Sequence, residues 1–262
     1  MKPKVVILCG GKGTRLREET EKKPKPMVTI GHHPILLHIM KHYSHYGYNS
    51  FVLCLGYKGE FIKEYFLNYI DRCCDLQLNL KDGVKSVIKD QKGLDNWDII
   101  FADTGLETNT GGRIKRVEKY IKGEYFFLTY GDGLSNVNLK ELEKFFLQKG
   151  RIGLVTGTRP ESKYGQIAVG SDSIITGFKE KPILSDYING GFFVFNRKIF
   201  DYLDENCVLE KEIFERLSRE KELALFRHEG FWKCMDTYKD YQELNEMWKN
   251  GNTPWKSKLW FI

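Results

Sequence analysis

An α/β fold, with a Rossmann-like, mainly parallel sheet flanked by helices, is predicted by three features of the sequence. Short continuous apolar runs recur, as in Val5-Val6-Ile7-Leu8-Cys9, Phe51 to Leu55 and Tyr125 to Thr129. A strand that is apolar on both faces belongs between two helical layers. Stretches with apolar residues at helical spacing stand between these runs. The two signals alternate up to about residue 150, the pattern of parallel strands joined by crossover helices.

The elements follow in order. The first strand ends in Gly10-Gly11. Pro34 opens a helix whose face carries Ile35, Leu36, Ile39, Met40 and Tyr43. After the strand from Phe51, the residues Phe61, Ile62, Tyr65, Phe66 and Tyr69 mark a second amphipathic helix. Leu76, Leu78 and Leu80 alternate with polar residues, a half-exposed strand. Asp98 to Ala102 is a strand, and a helix is expected from about Gly112 to Ile121. Beyond residue 150 the gaps shorten. Ile152 to Thr156, Gln166 to Val169, Ile174 to Phe178 and Gly191 to Phe195 predict a strand-rich, partly antiparallel portion laid over the first half. Helices near Leu209 to Arg219 and Tyr238 to Lys249 close the chain. No Pro/Gly/Ser-rich linker divides residues 1–262, so one domain is expected, with a first part to about 150 and a second from about 151.

Composition narrows the function. With 262 residues the chain buries roughly 70–75% of its unfolded surface without staples. The net charge of +6 comes from 41 bases spread among 35 acids, a surface suited to anionic small molecules and not to nucleic acid. The six cysteines include no C-x-x-C pair, no signal-peptide pattern precedes Lys4, and no apolar run approaches ~18 residues. A cytoplasmic protein with free thiols and no membrane partner is expected.

The first strand is followed by Gly10-Gly11-Lys12-Gly13-Thr14-Arg15 and then by Lys22-Lys23-Pro24-Lys25-Pro26-Met27. Glycines let the main chain approach a ligand, and successive N–H groups form an anion nest. Thr14 adds a hydroxyl and Arg15 a bidentate cation. The order Gly-Lys-Gly-Thr excludes a Walker loop, and Leu16 stands where a dinucleotide loop needs its third glycine. On Gly-x-Gly alone an ordinary turn would serve equally well. The basic and proline-rich residues behind the loop favour phosphate.

These residues resemble the N-terminal motif of the sugar-phosphate nucleotidylyltransferases. The resemblance runs the whole length and is strongest to the CTP-using, cytidylyltransferase branch. It is carried there by Ile35 to Met40, Gly56-Tyr57-Lys58, Asp103-Thr104-Gly105, Thr110-Gly111-Gly112-Arg113 and Pro254-Trp255-Lys256. It implies a Rossmann-like core with the acceptor site built from the second half. It also implies transfer of CMP from CTP to a sugar-1-phosphate, glucose-1-phosphate above all, with release of pyrophosphate and formation of a CDP-sugar. A different phosphorylated acceptor stays open, since the stretch from Tyr164 to Asn189 does not read as glucose-specific, whereas a binding protein that has lost the chemistry would not need Arg15, Lys25, Asp132 and Asp236 together.

Asp132 ends a buried strand, at the edge where open α/β sheets bind ligands, and Asp236 follows another aromatic stretch. The resemblance matches both to the family's metal-binding aspartates and implies Mg²⁺, which takes one or two carboxylates and keeps several waters. It further implies that Leu8, Gly10, Gly11, Gly13, Thr14, Arg15, Lys25, Thr110, Gly111, Gly112, Arg113 and Gly131 hold the nucleotide. Tyr164, Gly165, Glu180, Lys181, Asn189 and Gly190 would hold the acceptor. Arg15, Lys25, Asp132 and Asp236 are the expected catalytic set. The hydrogen-bond polarity that separates cytosine from uracil is not legible in these residues, so CTP follows from the resemblance. So does a homo-oligomer.

Two other signals carry less. His38, His42 and His45 share a helical face, but no cysteine or carboxylate with ligand spacing accompanies them, which argues against zinc. Trp248, Trp255, Trp260 and Phe261 are read as packing surface and not as a base-stacking platform.

Overall fold

In the computed structural model, which describes residues 2–88, 94–162 and 164–256, seven strands form the central sheet. In chain order they are β1 (Val5–Leu8), β2 (Ser50–Leu55), β3 (Asp98–Asp103), β4 (Tyr125–Tyr130), β5 (Gly153–Thr158), β6 (Ile188–Asn196) and β7 (Leu223–His228). Their order across the sheet is β7-β5-β6-β4-β1-β2-β3. Only β6 is reversed, antiparallel to both β4 and β5, and the other four pairings are parallel. This is the mixed, mainly parallel sheet that the apolar runs predict.

The period of two in the strands divides the core between two faces. Val5, Ile7, Phe51, Leu53 and Phe127 point to one face. There they meet helix α1 (Ile35–His45), through Ile35, Leu36, Ile39, Met40 and Tyr43, and the helix Leu139–Lys149. Val6, Leu8, Val52, Phe126 and Leu128 point to the other face. They pack against the helix Thr110–Arg116, through Ile114, and the helical segment from Leu209 to Arg219.

Several boundaries differ from expectation. The second half is not laid over the first. Instead, β6 takes the free edge of β4, and β5 and β7 continue outward, so that the edge N–H and C=O groups of β4 are paired. The hairpin Gln166–Val169 with Ile175–Lys179 stands apart from the main sheet as a two-stranded sheet of its own. The half-exposed strand ends at Leu78, and Leu80 lies in a turn, 88% exposed. The helix expected from Gly112 starts at Thr110 and gives way to 3₁₀ geometry at Glu118–Tyr120. Helix Leu139–Lys149 was not anticipated. It has an Asn138 cap that accepts from Lys140 and Glu141 N–H, and Gly150 closes it in left-handed geometry. Strand β7 was also missed. It is an edge strand with Arg and His in it, so its pattern does not read as buried.

Candidate active site

The site forms where β1, β2 and β4 end together. Leu8 is in register with Cys54 on one side and Tyr130 on the other. The chain leaves each strand along the same edge. Cys9 N–H donates to Cys54 O (3.0 Å), Gly131 N–H to Leu8 O (3.1 Å) and Tyr57 N–H to Gly10 O (3.2 Å). In an open α/β sheet this carboxyl edge is the ligand crevice. Here it holds a cleft of about 440 Å³.

Twelve of the expected residues line that cleft. The first loop contributes Leu8, Gly10, Gly11, Gly13, Thr14 and Arg15. Lys25 and Gly131 stand opposite, Thr110 and Arg113 form one wall, and Asp132 and Asp236 close the charged end. Gly13 takes a left-handed conformation (φ 63°), which turns the loop into the short 3₁₀ segment Thr14–Leu16. Thr14 and Arg15 are thereby left exposed at its rim.

A small ladder brings the two aspartates together. Gly133–Ser135 pairs antiparallel with Trp232–Cys234, and Cys234 faces Gly133. Met235 N–H donates to Asp132 O (2.9 Å), which sets Asp236 beside Asp132. Lys25, only 8% exposed on the 3₁₀ turn Lys25–Met27, points its ammonium between them. Nζ lies 2.6 Å from Asp132 Oδ2 and 2.8 Å from Asp236 Oδ1. Burial alone would lower this lysine. The Asp132 charge and the hydrogen bonds to both carboxylates outweigh it and carry Lys25 up from 10.5 to about 12. Arg15 makes a second ion pair with Asp236, although its own side chain is 75% exposed and so able to reach a ligand.

Asp132, Cys234 and Asp236 offer ligand atoms that all lie within 4.8 Å of one another. Burial and the Asp132 charge push the Cys234 thiol far up, so it stays protonated. The donors suited to a hard cation are then the two carboxylates, which already converge on one positive charge. The residues fit Mg²⁺ with an open side facing the cleft.

Arg113 lines the cleft from behind, with its guanidinium turned to the main chain. Its guanidinium donates to Leu55 O (3.1 Å), Thr104 Oγ1 (2.8 Å), Gly105 O (2.7 Å), Gly10 O (3.1 Å) and Leu106 O (3.1 Å). It is 5% exposed and clamps three loops at the cleft's back wall. Gly10 is glycine for this reason, because a Cβ there would stand 2.1 Å from Arg113 Nη1. Gly111 and Gly112, by contrast, do not line the cleft. A Cβ on Gly111 would meet Cys207 Sγ at 2.4 Å, and one on Gly112 would meet Glu205 O at 2.2 Å. These glycines let their helix pack on the 205–207 segment.

A second cleft of about 300 Å³ shares Arg15, Tyr130, Asp132 and Asp236 with the first and adds Asn189, Gly190 and Trp232. Trp232 Nε1 donates to Gly190 O (2.7 Å), which fixes that wall. The other expected acceptor residues are not brought there. Tyr164, Gly165, Glu180 and Lys181 line neither cleft. They flank the outlying hairpin, with Tyr164 78% exposed and Lys181 Nζ 3.9 Å from Glu180 Oε1. Among the described residues the hairpin makes no hydrogen-bonded ladder with the main sheet.

Tyr130, Thr108, Asn109, Val208, Trp232 and Cys234 line the clefts and were not anticipated. Tyr130 was within reach, being next to Gly131-Asp132. Trp232 and Cys234 depend on the small ladder, which no local pattern announces.

The remaining signals resolve simply. His38 and His42 each place Nε2 3.0 Å from a main-chain oxygen, of Ile30 and Val137, and burial lowers both to about 4. Among the described residues no histidine belongs to a metal-like cluster. Trp255 packs in the core, and Trp248 packs partly buried against it. Trp260 and Phe261 lie outside the described residues. Among the described residues no helix is long and apolar enough to cross a membrane.

Known proteins resemble this chain in sequence and fold. The chain is 47% identical over 255 residues to a probable glucose-1-phosphate cytidylyltransferase of Bacillus subtilis, covering 97% of this chain and 99% of that one. It is 42% identical over 257 residues to the glucose-1-phosphate cytidylyltransferase of Salmonella typhimurium, with the same coverage. The structure of an apo UDP-glucose pyrophosphorylase superposes with a TM-score of 0.70 at 17% identity, covering 97% of this chain and all of that one, and so shares the fold. Residues 4–250 match the nucleotidyl transferase family, to which this chain belongs.

Proposed function

We propose that the protein is a cytidylyltransferase that moves CMP from CTP to a sugar-1-phosphate, glucose-1-phosphate first among the candidates, releasing pyrophosphate and giving a CDP-sugar. The observation that carries this reading is the position of Asp132 and Asp236, which line both clefts, with the Lys25 ammonium bonded to both of them. A triphosphate in the first cleft and a phosphorylated acceptor in the second would meet at that charged junction. The two relatives named above, at 42–47% identity, support the choice of CTP and glucose-1-phosphate.

The chemistry needs little more than position and charge. A phosphate oxygen of the acceptor attacks the α-phosphorus in line. The bond from the α-phosphorus to its bridging oxygen breaks, and pyrophosphate leaves with that electron pair. The attacking oxygen is already anionic, so no general base is required. Arg15, exposed at the loop rim, would hold the leaving pyrophosphate, with Thr14 and the N–H groups of Gly11 and Gly13 on the same phosphates. Asp132 and Asp236 would hold Mg²⁺, which supplies charge neutralisation on the phosphate oxygens. Lys25 would then turn its ammonium to the reacting phosphates. The part up to about residue 150 would bind the nucleotide, and the part from about 151 would supply Asn189, Gly190 and Trp232 to the acceptor.

The test is pyrophosphate release with Mg²⁺ and CTP against a panel of phosphorylated acceptors. Turnover with glucose-1-phosphate far above the other acceptors is expected. Faster turnover with a different acceptor would move the substrate assignment, and no turnover with any acceptor would overturn the reaction.

A further inference from the structure

A carboxylate that lines neither cleft holds the side chains that do. Glu210 sits in the π-helical turn Leu209–Ile213, a geometry that recurs at functional sites. Its Oε2 accepts from Thr110 Oγ1 at 2.6 Å, and its Oε1 accepts from the Tyr130 hydroxyl. Thr110 lines the larger cleft and Tyr130 lines both. Asn189, on the wall of the smaller cleft, donates Nδ2 to the Tyr130 hydroxyl at 3.1 Å.

The consequence lies in the protons. An ionised carboxylate only accepts hydrogen bonds, whereas a hydroxyl has one proton and two lone-pair sites. Glu210 therefore accepts hydrogen bonds from the Thr110 and Tyr130 hydroxyls together. Tyr130 then uses a lone pair on Asn189. Thr110 uses one lone pair on Leu209 N–H (3.0 Å) and keeps a second. With its proton committed, Thr110 can show the cleft nothing but an acceptor.

The cleft has one charged end, at Lys25, Arg15, Asp132 and Asp236, which suits the triphosphate. The wall built from Thr108, Asn109, Thr110 and Val208 is uncharged apart from Arg113, whose guanidinium is spent on main-chain oxygens behind it, and is left for the nucleoside. We propose that Glu210 is a positioning residue that sets base selection, holding Thr110 Oγ1 as an obligate acceptor so that this wall takes the exocyclic amino group of cytosine and rejects the carbonyl of uracil. Thr110 is half-buried, and once a bound base covers it a hydrogen-bonding group of fixed polarity discriminates strongly, because the wrong base leaves two acceptors facing each other. The inference rests on the proposed use of CTP.

Glu210→Gln tests it with almost no change of shape. An amide presents one acceptor and one donor, so it cannot hold both protons, and one hydroxyl must reverse. The measurement is kcat/KM for CTP and for UTP with the same acceptor, in the wild type, Glu210→Gln, Thr110→Ser and Thr110→Val. The expected result is a fall of tenfold or more in the CTP-to-UTP ratio for Glu210→Gln and Thr110→Val, expressed mainly in KM. Thr110→Ser, which keeps the hydroxyl, should retain the wild-type ratio. A structural role alone would lower both substrates equally and leave the ratio unchanged, and that outcome overturns the proposal. A wild type that does not favour CTP overturns the proposed function instead.

Discussion

Lys25 and Asp132 are 107 positions apart in the chain, and Nζ of one lies 2.6 Å from Oδ2 of the other. The same ammonium is 2.8 Å from Asp236, so one lysine separates two carboxylates that would otherwise face each other. The protein thus keeps a cation of its own at the point where a divalent ion is proposed to bind.

Removing that cation should therefore cost stability as well as turnover. Lys25→Ala is expected to lower turnover at least 100-fold, as the loss of a group acting on the transferring phosphate does. Its unfolding free energy without metal should fall by about 2 kcal/mol, less than for a fully dry pair because both aspartates keep some water. Millimolar Mg²⁺ should restore stability to this variant more than to the wild type. Urea unfolding with and without Mg²⁺ measures this. Equal responses in the two proteins would remove the carboxylate pair as the metal site.

The lysine also predicts an alkaline limit. Its value rises from 10.5 to about 12 on folding, so the folded state holds the proton more tightly. The stabilisation is complete below pH 10.5 and is lost as pH rises through about 12. The difference in stability between the wild type and Lys25→Met should shrink by on the order of 2 kcal/mol across that window. A difference that stays constant with pH would show that the ion pairs contribute nothing there.

Arg113 should behave as a brace and not as a nucleotide ligand. Arg113→Met leaves the oxygens of Gly10, Leu55, Gly105 and Leu106 without this donor, and a loss of about 3 kcal/mol or more is expected. Gly10→Ala, which drives a methyl into the same guanidinium, should be similarly unstable. Thermal unfolding of both variants checks this. Normal stability with lost CTP binding would return Arg113 to the ligand.

Acid should act through the buried histidines. Burial lowers His42 to about 4, against a bond to Val137 O that opposes the shift. A group depressed on folding stabilises above its unfolded value, so the contribution is present above pH 6.5 and is lost as pH falls toward 4. Over that range the wild type should lose about 2–3 kcal/mol more than His42→Gln does. Parallel pH profiles for the two proteins would contradict it.

The legible part of the fold was the part held by local pattern. Val5 to Leu8 and Tyr125 to Tyr130 announce themselves because a strand buried on both faces is apolar throughout. The helix faces of α1 and Tyr238–Lys249 follow from spacing. Edge strand β7 and the Gly133–Ser135 ladder are short or partly polar, and they exist because a neighbouring strand is available to pair with them.

The sequence by itself determined the glycine loop after the first strand, the strand end that carries Asp132 and, through likeness, the proposed catalytic set. These are local, since a glycine turn that presents successive N–H groups at a strand end depends on few residues outside it. Only the tertiary structure decided that Asp236 reaches Asp132 and that Lys25 lies between them. It also decided that Arg113 faces inward and that Glu180 and Lys181 stay on an outlying hairpin. The reason is that pairing between distant segments, not residue type, sets where a side chain ends up. Gly111 and Gly112 look like ligand glycines in sequence, yet the neighbours a Cβ would strike belong to residues 205–207.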